Sequence, residues 1–292
     1  MPKIASILAI VDPTAPRQPA VDKATWLARR LGARLELLAC ATEGDCPSGL
    51  MPALVAPLRE LGLQVDAHEL AGAPLHEMLL ARLHGAPVDL VVKDTHPHSL
   101  PRRTLFTNTD WRLIRGCAQP LLLVKPRPWA ERPVILAAVD PGHAADPGAT
   151  LDRRILEFAA ALGARIEGRV RVANAFFPST IATAAGSGMP PAVGVSVDAL
   201  RAESERRRAE IVALAAPYGV GAEAVHVEPG MARDFLPRIA EESAADIVVM
   251  GAIARGGLKR ALLGSTAERV LEFMPSDLLV VKGLDFGAAL PF

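Results

Sequence analysis

The chain repeats itself, and this constrains its fold more than any other feature. Ile7-Leu-Ala-Ile-Val-Asp12-Pro13 recurs as Ile135-Leu-Ala-Ala-Val-Asp140-Pro141. Leu31-Gly-Ala-Arg34 recurs as Leu162-Gly-Ala-Arg165, Val88-Asp-Leu-Val-Val-Lys93 as Ala245-Asp-Ile-Val-Val-Met250, and Pro120-Leu-Leu-Leu-Val-Lys125 as Asp277-Leu-Leu-Val-Val-Lys282. The landmarks keep their order, so each half of the chain must build the same unit. The proline-rich stretch Pro126-Arg-Pro-Trp-Ala-Glu-Arg-Pro133 separates the copies as a stiff linker. This places the domain boundary between residues 1–128 and 129–292.

Each copy alternates short apolar runs with longer amphipathic ones. In the first, strands are expected near 4–11, 34–41, 63–70, 88–93 and 120–125, and helices near 18–32, 52–61, 74–85 and 108–117. In the second, strands are expected near 133–139, 166–173, 222–228, 245–250 and 277–282, and helices near 147–163, 198–217, 231–243 and 265–274. Continuous β-branched or Leu-rich strands suit a sheet covered on both faces. Their alternation with helices predicts an α/β fold with a parallel, doubly wound sheet in each copy. The Gly-, Pro- and Ala-rich segment from Phe176 to Ser196 reads as a mobile loop. The mixed charges of Arg201 to Glu210 read as the solvated face of a helix rather than a nucleic-acid patch.

Charge supports that exclusion. Lys plus Arg and Asp plus Glu balance at 32 each, which gives no bulk attraction to nucleic acid or an anionic membrane. No apolar run reaches the roughly 20 residues of a membrane-spanning helix, and the opening Met1-Pro-Lys-Ile-Ala-Ser-Ile-Leu8 lacks the layout of a signal peptide. Cys40, Cys46 and Cys117, odd in number and widely spaced, suit free thiols in a reducing compartment. Cys40 reads as a small core residue, and the cytoplasm is the expected location.

The candidate site lies in the second copy, where ligands are expected beyond the carboxyl ends of the strands. Asp140 and Pro141 close its first strand and Ala173-Asn174-Ala175 its second. Gly251 opens a basic, glycine-rich stretch that contains Arg255, Gly256, Gly257, Lys259 and Arg260 and runs to Gly264-Ser265-Thr266. Glycines admit an anion close to the backbone, and a helix start offers free N–H groups and the positive end of its dipole. A nucleotide fits this layout, its base near Asp140 and its phosphates near Gly251 and Gly264-Ser265. Ser265-Thr-Ala-Glu268 also fits a plain capping box, and Asp140-Pro141 a plain turn, so purely structural roles stand beside the phosphate reading.

These residues resemble the universal stress protein family, whose nucleotide-binding members carry Gly, two residues, Gly, nine residues, then Gly-Ser or Gly-Thr. Gly251 and Gly264-Ser265 match, while Ala254 stands at the second glycine. The resemblance spans both copies and is nearest to the tandem E-type members, on Leu105-Phe-Thr-Asn-Thr-Asp-Trp-Arg-Leu113 and Leu263-Gly-Ser-Thr-Ala-Glu-Arg-Val270. It implies two flavodoxin-like domains of five parallel strands, packed as an internal pseudo-dimer. It also implies binding of ATP, alone or with Mg²⁺, slow hydrolysis at most, and a part in stress survival. Adenine contact would fall on Asp140 and the backbone of Ala173 to Ala175, and phosphate contact on Gly251, Gly264, Ser265 and Thr266.

The first copy reads as degenerate, with Asp94 at the position of Gly251, Thr107 at Gly264 and Asn108 at Ser265. A carboxylate there repels phosphate, and a side chain at 107 blocks backbone approach. The Asp94-x-His96-x-His98 spacing lacks a fourth ligand and reads as a polar loop, so no metal site is expected. No Walker lysine or Mg²⁺-holding carboxylate pair points to dedicated catalysis. The expected partners are an adenine nucleotide, an unidentified protein and a further copy of the chain. The competing expectation is a non-enzymatic scaffold, or a binder of another small apolar ligand, with a vestigial nucleotide loop. An adenylating enzyme ranks below both, because Asp12-Pro and Asp140-Pro stand where its pyrophosphatase loop belongs.

Overall fold

The computed structural model describes residues 3–41, 46–95, 108–142, 148–178, 196–252 and 273–283. The first half supplies strands β1 (Ser6–Val11), β2 (Arg34–Ala41), β3 (Val65–Ala71), β4 (Leu90–Asp94) and β5 (Leu121–Val124). Its helices are α1 (Pro19–Leu31), α2 (Leu50–Glu60), α3 (Leu75–Gly85) and α4 (Asn108–Gly116). The second half supplies β6 (Val134–Ala138), β7 (Arg169–Phe176), β8 (Val225–Pro229), β9 (Ile247–Ala252) and β10 (Asp277–Lys282). Its described helices are α5 (Thr150–Ile166), α6 (Val197–Ala215) and α7 (Ala232–Glu242). Residues 265–272 of the helix expected over 265–274, and residues 179–195 of the mobile loop expected from Phe176 to Ser196, lie outside the described residues.

Within each half the strands pair in parallel, in the order β3-β2-β1-β4-β5 and its counterpart β8-β7-β6-β9-β10. The halves join edge to edge into one ten-stranded sheet. The seam is the antiparallel pair β5–β10, with Leu122 opposite Leu279. The repeated Pro120–Lys125 and Asp277–Lys282 segments thus satisfy each other's open edges inside one chain, and the two halves form the expected pseudo-dimer.

Alternation along each strand feeds two apolar layers. Ile7, Ala9 and Val11 face one layer with α1, α2, α5 and α6, while Leu8 and Ile10 face the other with α3, α4 and α7. Burial on both faces is why the strands read as continuous apolar runs rather than alternating ones. Cys40 and Cys117 are buried among these apolar side chains, and burial pushes both thiols up to about 11.

The halves are also locked across the seam by polar contacts. Lys125 Nζ donates to the carbonyl of Met274, and Lys282 Nζ donates to that of Ile114. Each last-strand lysine thus reaches into the other half. Asp277 accepts from Lys23 Nζ, from the Lys125 amide at 2.9 Å and from Trp129 Nε1 at 2.7 Å. The linker is therefore docked, not free: Trp129 packs edge to face on Trp26, with ring centroids 5.2 Å apart.

One repeat changes meaning in three dimensions. Gly32 ends α1 with a left-handed φ of 64°, as a C-terminal glycine does. The expected helix end at 163 is not observed, because α5 continues to Ile166 and the left-handed position falls on Glu167, φ 55°. The second strand accordingly starts at Arg169 rather than near 166. Gly163 is a close-packing glycine instead, since a Cβ there would lie 2.7 Å from Val170 Cγ2. The true counterpart of Arg34, which pairs with Ser6, is Arg169, which pairs with Val134; the Leu-Gly-Ala-Arg copy at 162–165 is displaced by about one helical turn.

Candidate functional site

The carboxyl ends of β7, β6 and β9 lie side by side. Ala138 pairs with Ala173 on one flank and with Met250 on the other. The next residues along the chain therefore bring Asp140, Asn174-Ala175 and Gly251 to a common rim. Of the sequence-derived candidates, Asp140, Pro141, Ala173, Asn174, Ala175 and Gly251 are brought together here. Arg255, Gly256, Gly264, Ser265 and Thr266 lie outside the described residues, as do Ala254 and Lys259.

The two Asp-Pro turns do different work. In the first half, Asp12 Oδ1 accepts from the Thr14 amide at 2.8 Å and from Thr14 Oγ1 at 2.6 Å, and the Asp12 amide donates to Gln18 Oε1 at 3.0 Å. Its carboxylate holds its own turn. In the second half the Asp140 amide donates to Asp152 Oδ1 at 2.8 Å, from the first turn of α5. The Asp140 side chain is exposed, with no hydrogen-bond partner among the described residues. Buried Asp152 fixes the backbone and leaves the Asp140 carboxylate turned to solvent.

Asn174 lies against the same turn. It is 1% exposed, and its Nδ2 donates to the Val139 carbonyl at 2.8 Å. Its Oδ1 is buried and has no partner among the described residues. Asn174 thus clamps the end of β6 to β7. Its counterpart by register is Ala39, which cannot do so.

Gly251 is required by space rather than by backbone conformation. A Cβ at this position would lie 2.4 Å from Leu151 Cδ2 and 2.7 Å from Leu151 Cγ, in the first turn of α5. Its counterpart by register is Asp94: Gly251 pairs with Val281 as Asp94 pairs with Val124. Asp94 is buried, and its carbonyl accepts from Lys93 Nζ at 2.7 Å. Lys93 also meets Asp110 Oδ1 at 2.8 Å, and both side chains are nearly excluded from solvent. A buried ion pair thus begins at Lys93, where the second half has Met250. His96 and His98, of the Asp-x-His-x-His spacing, lie outside the described residues.

Sequence reasoning missed two contributors to this rim and one anchor of the sheet. Asp152 was one helical residue among many, since nothing local marks it as the partner of the Asp140 amide. Arg207 belongs to the charged run taken as solvated, yet its guanidinium reaches the Asp140-Pro-Gly142 turn, 3.2 Å from where a Gly142 Cβ would be. It also lies over the Phe176 ring at 5.9 Å. The third is the repeated Asp at the head of each fourth strand, which anchors the sheet at the end opposite this rim and takes no part in the site. Asp89 accepts from the amides of Ala5 and Ser6, and Asp246 from those of Ala130 and Val134. Its recurrence in both copies was the available signal.

Two Rossmann-like halves joined through antiparallel last strands define a tandem α/β class. Residues 133–282 match the Universal stress protein family, just over half of the chain, and the chain belongs to that family. It is similar to Universal stress protein E of Salmonella typhi, 28% identical over 304 residues, covering 95% of this chain and 94% of the relative. A crystal structure of a functionally unknown protein from Pseudomonas aeruginosa PAO1 is 30% identical, with a TM-score of 0.80 over 98% of this chain and 95% of that one. A universal stress protein from Archaeoglobus fulgidus DSM 4304, 16% identical with a TM-score of 0.63, shares the fold across 96% of this chain and 98% of its own. These likenesses make it a tandem member of the E type, and family membership supports a role in the stress response. Among the described residues, no helix is long and apolar enough to cross a membrane.

Proposed function

We propose that the chain holds one ATP molecule in its second half. In this reading it acts in stress survival through a nucleotide-dependent change of conformation or assembly, with hydrolysis slow at most. The observation that carries the reading is the asymmetry of the two Asp-Pro turns: Asp12 is consumed by Thr14, whereas Asp140 presents an exposed carboxylate beside Asn174, Ala175 and Gly251. A carboxylate at that rim accepts hydrogen bonds from a nucleoside, and the backbone of Ala173 to Ala175 lines the base. Arg255, Gly256, Gly264, Ser265 and Thr266 would carry the phosphates, by resemblance to the family. Mg²⁺, where present, would neutralise the polyphosphate. Residues 1–128 are then a domain that keeps the fold without the nucleotide, with Asp94 and the Lys93–Asp110 pair at its equivalent position, and residues 129–292 are the binding domain. Cytoplasmic residence and further self-association belong to the same proposal.

One observation favours a second reading, a scaffold with a vestigial loop: packing against Leu151 explains Gly251 without any nucleotide. Calorimetric titration with Mg-ATP separates the two. Saturable heat that disappears in Gly264→Asp supports the nucleotide reading, while absence of heat from the wild-type protein supports the scaffold.

A further inference from the structure

A concave site lies at the junction of the halves, where the start of α1 meets the chain leaving β5. It encloses about 280 Å³ and is lined by Arg17, Lys23, Trp26 and Lys125 from the first half and by Arg127 and Trp129 from the linker. It is separate from the rim formed by β6, β7 and β9 and does not depend on the nucleotide reading.

Its charges are unequal. Of the four cationic side chains that line it, Lys23 and Arg127 are paired with Asp277 and Asp246 behind the wall, which leaves Arg17 and Lys125 against one lining carboxylate, Asp22. The buried carboxylates behind the wall are already engaged. Asp277 takes Lys23, Trp129 Nε1 and the Lys125 amide, and Asp246 takes the Ala130 and Val134 amides and, at 3.7 Å, Arg127. Lys125 Nζ is held by a neutral carbonyl, that of Met274. Burial pushes the Lys125 ammonium down to about 8, with Arg127 and Lys23 adding to the fall and Asp277 opposing it. Arg17 is exposed and has no ion-pair partner among the described residues.

The remaining wall is apolar and rigid. Trp26 and Trp129 meet edge to face, and Pro19, Pro126 and Pro128 complete the lining. Rigid rings beside convergent cations favour a ligand with a flat apolar body and one anionic end. The volume falls just under the usual range for drug-sized ligands, which points to a body of about one ring.

We infer that this cleft is a ligand site for a small one-ring aromatic anion, with a carboxylate or phosphate held by Arg17, Lys125 and Arg127 and the ring against Trp26 and Trp129. The test is tryptophan fluorescence in a Trp111→Phe background, which leaves Trp26 and Trp129 as reporters, titrated separately with benzoate and phenyl phosphate. Acetate supplies charge without a ring, and benzyl alcohol a ring without charge. At least one aromatic anion is expected to give a saturable change that neither control gives, and the two arms identify the preferred anionic group. Arg17→Glu, a change at an exposed position, is expected to weaken binding by at least about tenfold. Gly264→Asp is expected to leave it unchanged, which keeps this outcome distinct from that at the nucleotide site. The inference is overturned if neither anion saturates by about 10 mM, if a control matches the aromatic anions, or if Arg17→Glu binds as the parent does.

Discussion

Replacing Gly251 by alanine separates the two roles open to that glycine. The added Cβ would lie 2.4 Å from Leu151 Cδ2 and 2.7 Å from Leu151 Cγ. The branch carbon cannot escape by rotating the end of its side chain, and Leu151 is only 7% exposed. The first turn of α5 must therefore shift, at a cost typical of overpacking, about 1–3 kcal/mol. Leu151→Ala alone leaves a cavity and costs about 2–5 kcal/mol. In the double variant the alanine methyl occupies part of the vacated space. Urea denaturation should then give a loss smaller than the sum of the single losses by about 1–2 kcal/mol, at unchanged m. Losses that add to within about 0.5 kcal/mol would refute the packing argument. ATP titration of the same proteins reads the other role. If phosphate also approaches this backbone, affinity stays low in the double variant; if packing is the whole role, relieving the clash restores it.

Three further changes are expected to be informative. Lys282 is 2% exposed, and burial pushes its ammonium from 10.5 down to about 8, a penalty of roughly 3 kcal/mol at 1.36 kcal/mol per pH unit; Lys282→Met should raise the urea midpoint at pH 7. Because the unfolded chain binds the extra proton between about 8 and 10.5, wild-type stability should climb from pH 8 to 9, before Cys40 and Cys117, raised from 9.0 to about 11, pull it down; Lys282→Met should flatten that climb, with Lys125 keeping part of it. Asp140→Ala should weaken ATP binding by about tenfold with little change in stability, whereas Asp12→Ala should cost about 1 kcal/mol of stability and leave ATP binding intact, both read by paired denaturation and calorimetry. Asp110→Ala strands Lys93 in the core and should cost about 3–5 kcal/mol in denaturant unfolding, while the Lys93→Met/Asp110→Leu pair should recover most of that loss.

The centre of the sheet was legible because both of its faces are covered there: β1, β4 and β5 and their counterparts β6, β9 and β10 are short, largely apolar runs, and the duplication gave each of them a second witness. The pseudo-dimer was expected through the family resemblance alone; the repeat explains the β5–β10 seam, since two like open edges in one chain can close on each other. Local likeness failed where the same letters met different neighbours. Leu-Gly-Ala-Arg ends a helix at residue 32 but continues one at 163, because Ile166 has a core to enter and Val170 presses on Gly163. The rim of the site was readable at Asp140 and Gly251 but not at Asp152 or Arg207. Their roles arise from contacts between separate elements, α5 or α6 against the turn after β6, and no periodicity encodes these. The buried Lys93–Asp110 pair was hidden for the same reason: a lysine in an apolar run does not reveal which carboxylate it meets.

Covalent mapping of the nucleotide tests most directly the claim that a single adenine site survives, in the second half. Irradiating the protein with 8-azido-ATP and sequencing the labelled peptides by mass spectrometry should place the label on residues 140–142 or 173–177, with protection by excess ATP. Label on the matching first-half segments, 12–14 or 39–41, or label that excess ATP does not compete away, would contradict it.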